Sequence, residues 1–200
     1  MAINLANNNS LANITALPSS ITGGGMTLIS EQTASSSATI SFTSGIDDTY
    51  DKYVFKFYDI HPATDNADFT FQVDTGTNTN YNQTMTTTVI RAYHAEADDE
   101  ALLNYGGRDQ AQGTAFQILV HEIGNDNDQS CVGSLQLFNP SSTVFVKHFM
   151  STMNEYTGGN LSLNKFVAGY INTTTAITRV QFKFSSGNID SGVIKLYGVS

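Results

Sequence analysis

From Met26 to Val199 the chain is a series of short runs in which apolar residues recur at every second position, and no other feature narrows its fold as much. "DFTFQVD" at 68 to 74 puts Phe69, Phe71 and Val73 on one side, the period of a half-buried strand. "KYVFKFYDI" at 52 to 60 sets Tyr53, Phe55 and Phe57 against Val54, Lys56 and Tyr58. Further runs lie at 26 to 32, 37 to 43, 84 to 93, 115 to 123, 132 to 138, 144 to 153, 165 to 172, 177 to 184 and 192 to 199. Between them stand "SGIDDTYD", "HPATDNA", "DTGTNTN", "GNDNDQ", "NPSS" and "SSGNIDSG", segments whose Gly, Pro, Asn, Asp and Ser favour turns. Only "HAEADDEALLNY", 94 to 105, has a helical look, with acidic residues near its start that suit a helix N-terminus. The expectation is an all-β chain: an antiparallel β-sandwich of jelly-roll type with one short helix.

The end of the chain carries Val193, Ile194, Leu196, Tyr197 and Val199. Termini fray unless they are tied down, so this run is expected to be a strand locked into the core, paired as a hairpin with 177 to 184. A weak internal echo joins this region to "SGIDDTYDKYVFKFYDI": both contain a Ser-Gly turn and a Phe-Lys-Phe strand.

Residues 1 to 25 read differently. The segment is polar and Asn-rich, with Ile3, Leu5, Leu11, Ile14, Leu17 and Ile21 scattered at no strand or helix period, and it ends in Gly23, Gly24 and Gly25. Three glycines make a hinge. The reading is two units: an extended arm at 1 to 25 that lies along a partner, and a β-sandwich at 26 to 200.

Composition bounds the partners. The formal net charge is -9, and nine Lys and Arg are spread along 200 residues without clustering, which argues against nucleic acid. Cys131 is the single cysteine, so no intrachain disulfide forms, and its neighbours Val132, Leu135 and Leu137 place it in a packed strand. Neither a signal-peptide pattern nor an apolar run of about 18 residues is present. The chain is therefore expected to be made in a cytoplasm and to stay out of membranes.

Chemistry has few footholds. "HEIGNDND", 121 to 128, lacks the second histidine of a zinc helix, and "DNDQSCV" lacks the glycine and closing glutamate of a calcium loop; Asp126 and Asp128 are the only weak metal candidates. Glu96, Asp98, Asp99 and Glu100 are adjacent carboxylates of the kind found on solvated turns, whereas acid–base catalysis needs a pair held in different environments. No serine sits in G-x-S-x-G, and the glycine triplet is not followed by Lys and a helix, as a phosphate loop requires. Tyr81, Tyr93, Tyr105 and Tyr156 are candidates for a sugar-binding face. No catalytic residue and no cofactor is expected.

The order of segments from "LANITALPSSITGGGMTLISEQ" through "AYHAEAD", "QAQGTAFQ", "GNDNDQ", "LFNPSSTVFVKHF" and "FVAGYINTTTAIT" to "SSGNIDSGVIKLYGV" resembles a family of virion structural proteins of marine tailed bacteriophages. The resemblance implies a non-enzymatic virion component. The expected role is a capsid decoration protein, self-associating as a homotrimer about a three-fold axis and held to the major capsid protein or another virion subunit by its arm. The alternative is a tail-fibre or appendage tip that binds a host-surface glycan.

Overall fold

The computed structural model describes residues 25–200, which fold into twelve strands in two antiparallel sheets. In chain order they are β1 (Thr27–Thr33), β2 (Ile40–Phe42), β3 (Lys52–Pro62), β4 (Ala67–Thr75), β5 (Met85–Ala95), β6 (Ala101–Tyr105), β7 (Gln117–Ile123), β8 (Cys131–Phe138), β9 (Lys147–Tyr156), β10 (Leu161–Ile171), β11 (Ile177–Phe184) and β12 (Ile189–Val199). The large sheet has the order β1-β12-β3-β8-β9-β10-β5-β6 and the small one β2-β11-β4-β7. The pairs β5·β6, β4·β7, β3·β8, β2·β11 and β1·β12 are nested one inside the next around the β5–β6 turn, with β9 and β10 added beside β8.

The two-residue period does what it implies. β9 alternates strictly between buried Lys147, Phe149, Ser151, Met153 and Glu155 and exposed residues between them. The inward faces of the two sheets meet in one apolar core. Phe182 on β11 stands at its centre, with ring centroids 5.2 Å from Phe55, 5.1 Å from Phe57, 5.9 Å from Phe69 and 6.3 Å from Phe42. The Phe-Lys-Phe echo is thus structural: Phe55 and Phe57 of the large sheet face the Phe182 side of the small one.

Two expectations are corrected. The stretch 94 to 105 is the β5–β6 hairpin, and there is no helix among the described residues. The acidic run explains why: a helix would stack Glu96 against Asp99 and Glu100, like charges at the spacings that touch, whereas a turn exposes them all. Ala95 N–H donates to Glu100 C=O at 2.8 Å, and Asp98 adopts φ 57°, a conformation Asp tolerates better than most residues. The last strand, in turn, does not pair with β11. It runs between β1 and β3 in the opposite sheet, so the Ser185–Asn188 link crosses between layers. Both strands carry an apolar face, and the partners differ: Phe182 lies beside Phe71 in the small sheet and Leu196 beside Phe55 in the large one. Ile194 and Leu196 are buried as expected.

Glycine is required where β12 passes under Tyr50. A Cβ on Gly198 would lie 2.2 Å from the Tyr50 ring, so only a bare backbone admits that packing.

Candidate functional site

The two outer faces of the sandwich differ. On the small sheet, loops cover the outward side: Gln72 on β4 is buried, donating from Nε2 to the carbonyls of Gln83, Thr114 and Ala115. The buried Asp74 carboxylate accepts from the backbone N–H of Tyr81 and Thr75 and from Gln83 Nε2. Lys183 on β11 lies over the Phe116 ring at 4.1 Å. Among the described residues nothing covers the outer face of the large sheet in this way.

On that bare face the register aligns side chains into rows across β6, β5, β10 and β9. One row runs Tyr105, Ile90, Phe166, Thr152; the next runs Leu103, Ala92, Asn164, Asn154; a third runs Thr88, Ala168, Met150. Leu103, Tyr105, Ile90, Phe166 and Met150 are all exposed, Leu103 at 73%. No charged residue stands in these rows. Charge borders the rows at Asp109, whose carboxylate accepts from the Tyr105 hydroxyl at 2.8 Å, and returns further along the sheet, where Lys195 Nζ meets Glu31 at 2.9 Å and Lys56 lies 5.8 Å from the Tyr197 ring. Beside Met150 the face dips into a groove of about 410 Å³ lined by Thr86, Thr88, Phe138, His148, Ala168 and Tyr170, with the His148 and Tyr170 rings 6.2 Å apart.

A second cluster lies inside. Arg91 on β5, Lys165 on β10, Glu155 on β9 and His121 on β7 converge where β7 packs over the large sheet. Arg91 Nη1 donates to His121 Nε2 at 3.1 Å, which leaves the ring hydrogen on Nδ1, 3.5 Å from Glu155 Oε1. His121, Glu155 and Lys165 are all buried. Among the described residues Lys165 Nζ, His121 Nδ1 and both Glu155 oxygens have no hydrogen-bond partner. Burial, reinforced by Lys165, Arg108 and Arg91, holds the His121 imidazole neutral and lowers its pKa to about 3. Burial also pushes the Glu155 carboxyl up, against the pull of Lys165, and lowers the Lys165 ammonium to about 8, against the pull of Glu155. Titratable groups this displaced often mark catalysis, but these are sealed from any substrate; their effect is to tie β7 to the large sheet.

The residues expected from sequence are scattered. Asp126 acts through its backbone: its carbonyl accepts from Gln129 N–H at 2.9 Å and contacts His61 Nε2 at 3.2 Å. Asp128 lines an open depression of about 400 Å³ with Asp59, His61 and Asp190. Among the described residues no three His, Cys, Asp or Glu side chains are placed to hold a metal. Tyr105 and Tyr156 stand on the outer face of the large sheet in different rows, their hydroxyls donating to Asp109 and Asn160, whereas Tyr93 is on the opposite side of β5, donating to Glu100, and Tyr81 is buried, so the four do not form one surface. Cys131 is a buried strand residue whose thiol burial pushes up. Ile3, Leu5, Leu11, Ile14, Leu17, Ile21, Gly23 and Gly24 lie outside the described residues; Gly25 is the first within them and is exposed. Neither the apolar rows nor the buried cluster was singled out from sequence. No family model, curated protein or solved structure matches the chain.

Proposed function

We propose that this protein is a non-enzymatic structural subunit of a phage virion, a capsid decoration protein that associates with its own copies and is attached to the shell through residues 1 to 25. The observation that carries the reading is the apolar band of Leu103, Tyr105, Ile90, Phe166 and Met150 on the large-sheet face that no other described residue covers. Contiguous apolar surface on a folded chain is the mark of a face meant for another subunit. The nested pairs β5·β6, β4·β7, β3·β8 and β2·β11 support a jelly-roll reading of the sandwich, because rolling up such a ladder produces that fold. In this reading the partners are further copies of the chain and the major capsid protein or another virion subunit.

The test is co-sedimentation with particles that lack their own copy. The full chain is expected to bind in hundreds of copies per particle, and Ile90→Lys/Phe166→Asp, which places opposite charges on two exposed, directly paired positions, distinguishes face from arm. If that variant binds as well as the parent, attachment runs through the arm alone. Absence of binding by the full chain overturns the decoration role. A few dozen copies would favour an appendage instead. The groove beside His148 and Tyr170 favours that second reading, an appendage tip that binds a glycan, since rings beside threonine hydroxyls suit a sugar. Chemical-shift changes at these residues on titration with host-surface oligosaccharide are its readout.

A further inference from the structure

We propose that β6 pairs edge to edge with β6 of a second copy, antiparallel about a two-fold axis through Leu103, and joins two large sheets into one. The proposal deepens the self-association in the reading above and replaces the expected three-fold axis with a two-fold contact. It begins with the backbone. Gly106 N–H donates to Val89 C=O at 2.9 Å, and Ala95 N–H donates to Glu100 C=O at 2.8 Å. In an antiparallel ladder, bonded and non-bonded pairs alternate. The bonded pairs of β5 and β6 are therefore Val89 with Gly106, Arg91 with Asn104, Tyr93 with Leu102 and Ala95 with Glu100, following the register. Ala101, Leu103 and Tyr105 then turn their N–H and C=O groups to the free edge, where no backbone group of the described residues meets them.

These three positions are self-complementary. A two-fold axis through Leu103 sets it against itself and sets Ala101 against Tyr105 of the second copy, so every outward N–H and C=O of the three residues gains a partner. The side chains agree with the backbone. Leu103 meets Leu103, and the bands of Ile90, Phe166 and Tyr105 become continuous across the axis. The acidic turn at Glu96, Asp98, Asp99 and Glu100 is at one end of β6; the antiparallel arrangement sets Glu100 beside a glycine, Gly106, of the second copy, whereas a parallel one would set acid against acid.

The other three edges carry the devices that prevent such pairing. β1 is polar and bears Glu31 in an ion pair with Lys195. β2 is three residues long. β7 is irregular against β4, has φ 62° at Glu122, and is bridged at Ile123 by Thr157. β6, "ALLNY", has no charge, proline or irregularity, and Leu102, Leu103 and Tyr105 on it are exposed.

The experiment is the mass in solution of the full chain by light scattering, with hydrogen exchange at Ala101, Leu103 and Tyr105. The parent is expected at twice the chain mass with these amides protected. Leu103→Lys halves the mass and exposes the amides while leaving the melting temperature of the body in place, because the side chain is outside the core. Mixing Leu103→Lys with Leu103→Glu restores the doubled mass, since opposite charges then meet on the axis. A parent of single mass overturns the proposal, as does a Leu103→Lys variant that keeps the doubled mass. Protected amides at single mass would assign the edge to the chain's own residues 1 to 24 and equally overturn it. Particle binding plays no part in this readout, so failure here and failure of the decoration role are separate outcomes.

Discussion

Lys165 and Glu155 are diagonal neighbours on β10 and β9, both buried, and their side chains have no hydrogen-bond partner among the described residues. Burial disfavours the charge on each, and each opposes the other's neutralisation, so removing one leaves the other to bear its burial alone, while replacing both with apolar residues of like size is often neutral or better. Lys165→Met alone is therefore expected to lower the denaturant midpoint strongly, and Lys165→Met/Glu155→Leu to recover most of the loss. His121 adds a pH dependence of definite sign. Its folded pKa of about 3 lies below the ordinary 6.5, so the unfolded chain binds the extra proton first and stability falls as pH drops from about 6.5 toward 3. Glu155 is displaced upward and works the other way, its contribution being lost as pH rises through its folded value. Urea titrations across that acid range are expected to show a shallower slope for His121→Gln than for the parent. At Gly198 the expectation is steric: Gly198→Ala displaces the Tyr50 ring and costs about 1–3 kcal/mol, measured the same way.

At the scale of elements, the sequence made eleven runs legible because each carries its period within itself. β11 occupies 177 to 184 as read, and Phe69, Phe71 and Val73 share the core face as read. What a period cannot state is which strand lies alongside. Both β11 and β12 have an apolar face, and only the whole set of strands decides that they sit in opposite sheets. The β5–β6 hairpin was obscured because helix-forming Ala, Glu and Leu outweighed a repulsion that is visible only once the helix is drawn. The buried cluster was partly legible: Glu155 falls on the same alternate positions as Phe149 and Met153, but Met150 on the other face blurred which side was inward. β12 yields the sharpest test at this scale. It is held on both sides and buries Ile194 and Leu196 completely, each worth about 1.5–3 kcal/mol against a net stability of about 5–15 kcal/mol. Deleting Gly192 to Ser200 is expected to abolish cooperative melting, and a soluble product with a sharp calorimetric transition would refute that role.

The described molecule has one shared core, so residues 25–200 are expected to melt in a single transition, with calorimetric and van't Hoff enthalpies in agreement. No metal-holding group occurs among the described residues, and chelator is expected to leave the midpoint of that transition unchanged; a drop that is absent from Asp126→Ala/Asp128→Ala would establish a calcium site at the β7–β8 loop. The nested ladder has a consequence in time as well as in space. Leu28 pairs with Tyr197, so the outermost strand waits for a partner about 170 residues behind it. A ribosome adding roughly 5–20 residues per second delivers that partner some 10 to 30 s later. Through that interval the innermost hairpin, β5–β6, is the first pair of consecutive strands to be made, ahead of β8–β9 and β9–β10, and the same hairpin bears the open apolar edge. The nascent chain thus completes its stickiest surface first and its closing strand last, which gives chaperones a defined interval of need and makes neighbouring ribosomes on one message a place where two copies meet early.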